Sequence, residues 1–175
     1  HGYKSAKTVL HTLIDVVSKN GNLLLSIPLR GDGTPDSDEL SILEGIADWM
    51  EVNQEAIHGT RPWKVMGEGP QMAEVAPIEG PGFNEGKGVP FIGEDIRFTT
   101  KGDTLYAIVM GAPESDVHIK SLGTESKLLC EPITDISLLG GTDKVRWSRT
   151  AEALIIETPK GPLSDIASVF VIKTR

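Results

Sequence analysis

The sequence holds one cysteine, Cys130, in 175 residues. A single thiol excludes an internal disulfide and any metal site built from several cysteines. No motif of a nucleophilic thiol surrounds it, so a small buried apolar residue is the expectation. No apolar run approaches the ~20 residues of a membrane-spanning helix. Basic residues are few and scattered: 17 Lys and Arg stand against 25 Asp and Glu, giving a net charge of −8. Nucleic-acid binding rests on clustered Lys and Arg facing phosphates, so a nucleic-acid partner is not expected. The acidic balance suits solubility and a neutral substrate. Aromatic residues make up 5% of the chain, and Trp49, Trp63 and Trp147 fall in three separate regions. Each is expected as a core or interface anchor rather than a sugar platform.

Several chemistries lack their centre. The four histidines, His1, His11, His58 and His118, include no pair at zinc-binding spacing. No G-x-S-x-G elbow is present. Gly80–Gly88 invites a phosphate-loop reading, but five residues separate Gly80 from Gly86 where that motif has four, and Gly88 replaces its Ser or Thr. A surface loop is expected there. The acidic residues Asp32, Asp36, Asp38 and Glu39 do not match a calcium loop, and helix capping accounts for the last three. No metal and no cofactor are therefore expected.

What is present begins with an amphipathic pattern over residues 5–18: Val9, Leu10, Leu13, Ile14 and Val17 at helical spacing. Asn20-Gly21 closes that helix, with Gly21 expected in the left-handed cap position. Leu23-Leu24-Leu25-Ser26-Ile27 has almost no alternation and predicts a strand buried on both faces. Pro28 ends it. After the polar loop Leu29–Pro35, Asp36 is an N-cap with Glu39 three residues on. The second helix should run to about Met50–Val52 with Leu40, Leu43, Ile46, Ala47 and Met50 on its inner face. Helix, strand, helix is one repeat of an α/β fold. It cannot stand alone, because its strand exposes two apolar faces and two unpaired edges. The expectation is that the earlier strands of its sheet or barrel are absent from this chain.

Residues 64–94 are dense in Gly and Pro, yet Trp63, Phe83 and Phe91 are too apolar for a free tether, so an ordered linker is expected. From Asp95 the period falls to two. Strands are predicted at Asp95–Thr100, Thr104–Met110, Val117–Ser121, Ile133–Leu138, Val145–Trp147, Ala153–Thr158 and Ile166–Ile172. Short strands with regular turns predict an antiparallel β-sandwich over 95–175.

Specific stretches also resemble a known family. Val17–Pro28, Asp32-Gly33, Ile46–Met50 and Asn53–Trp63 resemble the end of the barrel in family 29 glycoside hydrolases, the α-L-fucosidases. Gly67–Pro70, Asp95–Gly102 and Leu105–Ala107 resemble the junction and first hairpin of that family's C-terminal sandwich, and Leu138-Leu139-Gly140 resembles a later strand. Ser26 departs from the pattern, where Asn is common, and so does Gln54, where Gly is common. The resemblance implies that residues 1–63 are the last helix–strand–helix of a (β/α)8 barrel, that 64–94 join it to the sandwich, and that the substrate is a fucosylated glycan. It implies a retaining mechanism, with two carboxyl groups ~5 Å apart. Neither carboxylate motif occurs in this chain, so no catalytic residue is assigned and both are expected upstream; the chain alone is expected to be inactive. In such a barrel the strand's C-terminal end and the following loop face the active site. Ser26 and Arg30 are therefore the candidate substrate-binding residues; for Ser26, a hydrogen bond to neighbouring backbone is the competing reading. The family's enzymes are often exported or lysosomal, which suggests a secreted or periplasmic location. The competing function is a non-catalytic carbohydrate-binding or structural β-sandwich module.

Overall fold

A computed structural model describes residues 3–72, 90–161 and 163–175. Two helices, α1 (Ala6–Ser18) and α2 (Ser37–Asn53), precede eight strands: β1 (Arg61–Glu68), β2 (Ile96–Lys101), β3 (Thr104–Val109), β4 (Val117–Ile119), β5 (Ile133–Leu138), β6 (Trp147–Arg149), β7 (Leu154–Ile156) and β8 (Ser168–Thr174). The strands form a five-stranded sheet in the order β1-β2-β3-β8-β5 and a three-stranded sheet in the order β4-β7-β6. Every pairing is antiparallel. The sandwich expected from period-two patterning is therefore present, with helices packed on its outer side.

Alternation along the central strands explains the layering. In β3, Leu105, Ala107 and Val109 face the core between the two sheets, while Tyr106 and Ile108 face the helices. In β8, Phe170 and Ile172 face inward, while Val169 and Val171 face the helices. Both faces of the large sheet are thus buried, which is why Thr104–Val109 and Ser168–Ile172 are nearly unbroken apolar runs. The β2–β3 hairpin turns at Gly102-Asp103, with Lys101 opposite Thr104 and Gly102 at a φ of 58°. A two-residue hairpin of the primed type needs a positive φ there, which glycine supplies without strain.

Four polar contacts tie the helices to the sheet. The Trp49 indole N–H donates to the Ala167 carbonyl at 2.9 Å. The Thr99 hydroxyl donates to the Ala56 carbonyl at 2.7 Å. His11 Nε2 lies 2.6 Å from the Ile166 carbonyl. Arg97 Nε donates to Asp15 Oδ1 at 2.7 Å.

The helices form where expected, with shifts of detail. Ser5 caps α1, accepting from the Thr8 amide at 3.1 Å. At its other end the left-handed residue is Asn20, with a φ of 64°, and not Gly21. The Asn20 and Gly21 amides donate to the Val17 and Val16 carbonyls, the paired bonds of a Schellman motif. Glycine at position 21 answers a different need: a Cβ there would stand 2.8 Å from Val16 Cγ1. In α2 the inner face is rotated from the expected one. Trp49 and Asn53 are buried with Ile46 and Met50 beside them, while Leu40 and Ala47 are exposed.

Three expectations need correction. Leu23–Ile27 is neither strand nor buried: it joins no ladder, and Leu24 is 96% exposed. No described strand lies beside it, and without a pairing partner an apolar run has no sheet to enter. Residues 64–68, expected in the linker, belong to β1 at the sheet edge, where Pro62 is tolerated because an edge strand needs fewer ladder donors. Trp63 and Val65 from this strand pack on the inter-sheet core. Cys130 is exposed, because its neighbour Leu129 occupies the buried position. The surface loop expected at Gly80–Gly88, with Phe83, and His1 lie outside the described residues. Buried Asp95 joins Gln71 to Ile92, accepting from the Gln71 amide at 2.8 Å and from the Ile92 amide at 3.0 Å.

Burial holds the His11 imidazole below its ordinary pKa, against the pull of the Ile166 carbonyl. A lowered folded-state pKa means the unfolded chain binds more protons as pH falls through about 6.5. Stability is therefore full above that pH and declines below it. Thermal melts from pH 7.5 to 5.5 should show Tm falling, and His11→Gln should flatten that slope; a slope unchanged in the variant would contradict this account.

Candidate functional site

The segment between the helices carries both sequence-predicted residues. It leaves α1 through Asn20-Gly21 and runs without regular structure to Arg30. A tight turn then closes on itself. The Arg30 amide donates to the Thr34 carbonyl at 2.8 Å, and the Gly33 amide donates to the Arg30 carbonyl at 2.9 Å. Gly33 has a φ of 84°, a conformation that disfavours any side chain. Asp32 Oδ1 accepts from the Thr34 amide and hydroxyl at 3.0 and 2.7 Å. The local sequence Gly31-Asp32-Gly33-Thr34 thus fixes its own backbone and presents Arg30 at the base of the turn.

Asp36 follows as the cap of α2, its Oδ1 accepting from the Asp38 and Glu39 amides at 3.0 and 2.9 Å. Its Oδ2 accepts from the Tyr3 hydroxyl. The Glu39 amide, then the Tyr3 hydroxyl, lower the Asp36 pKa, and the nearby Arg30 charge adds to this. The same hydrogen bond raises the Tyr3 phenol. The Thr34 hydroxyl and amide lower Asp32. Both carboxylates are therefore held ionised and acceptor-only, which suits orientation and not the donation of a proton.

Ser26 and Arg30 are both exposed. Among the described residues the Ser26 hydroxyl makes no hydrogen bond, so the backbone contact weighed for it is not formed. Asp36 is bonded to Tyr3, and Arg30 acts on it only through its charge; among the described residues Ser26 is joined to neither by a hydrogen bond or ion pair. Asp36 was legible as a cap but not as the partner of Tyr3, which carried no sequence signal. Exposed Leu24, Leu25 and Leu29 lie along the same segment, with Leu40 on α2. Among the described residues no group of three or more His, Cys, Asp or Glu side chains is arranged to hold a metal ion.

Two clefts lie elsewhere. One, of about 590 Å³, sits between the second half of α2 and the loops around Gly140 and Ser164. The other, of about 1140 Å³, is lined by Lys7, Glu68, Phe91, Asp116 and His118 among others. Neither includes Ser26 or Arg30. Trp49 is buried, and Trp63 packs edge-on against Phe98 with ring centres 5.1 Å apart. These two tryptophans are anchors and offer no open platform to a sugar.

Comparison with known proteins accords with this architecture. The family model for α-L-fucosidase matches residues 1–55, and that for the α-L-fucosidase C-terminal domain matches residues 90–174. Human tissue α-L-fucosidase is 27% identical over 163 residues, covering 93% of this chain and 29% of its own length. The mouse tissue enzyme is 28% identical over 156 residues, covering 88% of this chain and 28% of its own length. The structure of Thermotoga maritima α-fucosidase in complex with fucose superposes with a TM-score of 0.70 at 26% identity, over 97% of this chain and 34% of that one. The chain belongs to the α-L-fucosidase family, corresponding to the end of its barrel and its C-terminal β-sandwich. It spans less than a third of the length of the curated relatives it matches.

Asp36→Ala should speed hydrogen exchange at the Asp38 and Glu39 amides while leaving β3 and β8 amides unchanged. Unaltered exchange at the first turn of α2 would mean that Asp36 does not cap it.

Proposed function

We propose that this chain is the part of a retaining α-L-fucosidase that closes the barrel and carries the sandwich, in an enzyme that removes terminal α-L-fucosyl residues from glycans. The observation that carries this reading is the order of the two family matches on one chain, barrel then C-terminal domain, at 1–55 and 90–174. In a retaining enzyme one carboxylate attacks the anomeric carbon while a second carboxyl protonates the leaving oxygen. Water then releases the sugar, with the second group acting as base. None of the described carboxylates is assigned either role. Asp32 and Asp36, the acids nearest the candidate residues, have lowered pKa values and do not suit proton donation. The catalytic pair then lies on barrel strands that the longer relatives carry outside the matched stretch.

On this reading the chain divides at residue 60. Residues 1–60 are the barrel end, and the sandwich begins at Arg61, since β1 pairs with β2. The exposed leucines at 24, 25, 29 and 40 are covered by the remaining barrel, where Leu23–Ile27 finds the strand neighbours its sequence calls for. Ser26 and Arg30 then stand at the barrel mouth and touch the substrate. The alternative of a free sugar-binding module draws no support from Trp49 or Trp63, which are spent on packing. The sandwich is a structural support for the barrel end.

Purified alone, this chain should not hydrolyse an aryl α-L-fucoside, and turnover that scales with it would overturn the assignment of the chemistry elsewhere. In the full-length enzyme, Ser26→Ala and Arg30→Ala should each raise KM, Arg30→Ala by about tenfold given the strength of charge-assisted contacts. Unchanged kinetics in both would reduce the segment to scaffold.

A further inference from the structure

We infer that Arg97, in the sandwich, is a positioning residue for the Asn22–Arg30 segment, so that the sandwich sets the pose of the residues at the proposed barrel mouth. The inference rests on the reading of Ser26 and Arg30 as substrate contacts. Arg97 is 2% exposed, although it carries a charge that prefers water. Its guanidinium is fixed on several sides. Nε donates to Asp15 Oδ1 at 2.7 Å, and Nη1 donates to the Ile96 carbonyl at 3.1 Å. The Phe91 ring lies 4.8 Å from the guanidinium carbon. Gly67 leaves the space for it, since a Cβ there would stand 2.9 Å from Arg97 Cδ and 3.1 Å from Nη1.

The other end of this contact is the final turn of α1. Asp15 Oδ2 accepts from Lys19 Nζ at 2.7 Å, and Lys19 is the helix C-cap. A carboxylate in the last turn opposes the helix dipole, and its i,i+4 pair with Lys19 counters that, so neither effect singles out Asp15 as a stabiliser of α1. Its place is explained by what it joins: Arg97 on the sheet, and Lys19 at the point where the chain turns toward Ser26. The line Arg97–Asp15–Lys19 runs from a rigid, doubly buried sheet to the root of the segment. Trp49–Ala167 and Thr99–Ala56 also fasten helices to the sheet, but they act on α2 and the turn after it. They provide a control for simple stabilisation.

The test compares Arg97→Met with Thr99→Val. Native-state hydrogen exchange reads the Asn20 and Gly21 amides, which are bonded to the last carbonyls of α1. Arg97→Met should speed their exchange by about tenfold while core β3 amides stay protected. Thr99→Val should lower Tm and leave those two amides unchanged. Equal effects of the two variants on Asn20 and Gly21 would overturn the inference. In the full-length enzyme, Arg97→Met should raise KM for an aryl α-L-fucoside by about fivefold, with kcat within about twofold, as expected when ground-state and transition-state binding are lost together. An unchanged KM would overturn it as well. A wild-type enzyme without fucosidase activity would defeat the proposed function, leaving the exchange experiment to judge the positioning claim.

Discussion

The structure depends on one constraint: the five-stranded sheet has to be covered on both faces. Its inner face is closed by the small sheet, through Phe98, Phe170 and Ile172. Its outer face is closed by α1 and α2, through Leu10, Ile14 and Trp49 against Tyr106, Ile108 and Val171. Leaving the outer face open would expose Ile108, Val169 and Val171, each worth roughly 1.5–3 kcal/mol when buried. The helical pair and the sandwich are therefore one folding problem. The polar contacts across the joint follow from this: buried His11, Trp49, Thr99 and Arg97 each find a partner across the layer boundary, as buried polar groups must.

Legibility in the sequence tracked locality. The helices, the Asp36 cap and the β2–β3 hairpin depend on residues a few positions apart, and spacing alone placed them. The sandwich followed from period-two runs, and Ile133–Leu138 matches β5 end to end. The strand β1 escaped because Pro62 and Gly67 look like loop residues. Their reasons are non-local: an edge position for one, the close approach of the Ile96 carbonyl and the Arg97 side chain for the other. The rotation of α2 was hidden for the same cause. Leu40 and Ala47 are as apolar as their neighbours, and Trp49 faces inward where the sheet's apolar face and the Ala167 carbonyl receive it. At the candidate site, Ser26 and Arg30 came from a resemblance and a topological rule, whereas the hydrogen bond of Tyr3 to Asp36 required the folded chain. Leu23–Ile27 is instructive in the opposite sense. Its sequence specifies a buried strand, and within the described residues that specification has no partner.

The five-stranded sheet is covered on one face by the three-stranded sheet and on the other by α1 and α2, which has a consequence under the proposed function. The segment carrying Ser26 and Arg30 is rooted in a helix whose position is set by the sandwich. On that proposal, the sandwich governs the geometry of a site it does not line, by fixing where a neighbouring element begins.

The claim that helices and sandwich form one unit is tested most directly by calorimetry on this chain. The account predicts a single unfolding transition whose calorimetric and van't Hoff enthalpies agree. An earlier, separate transition that melts helical circular dichroism while the β-sheet signal persists would contradict it.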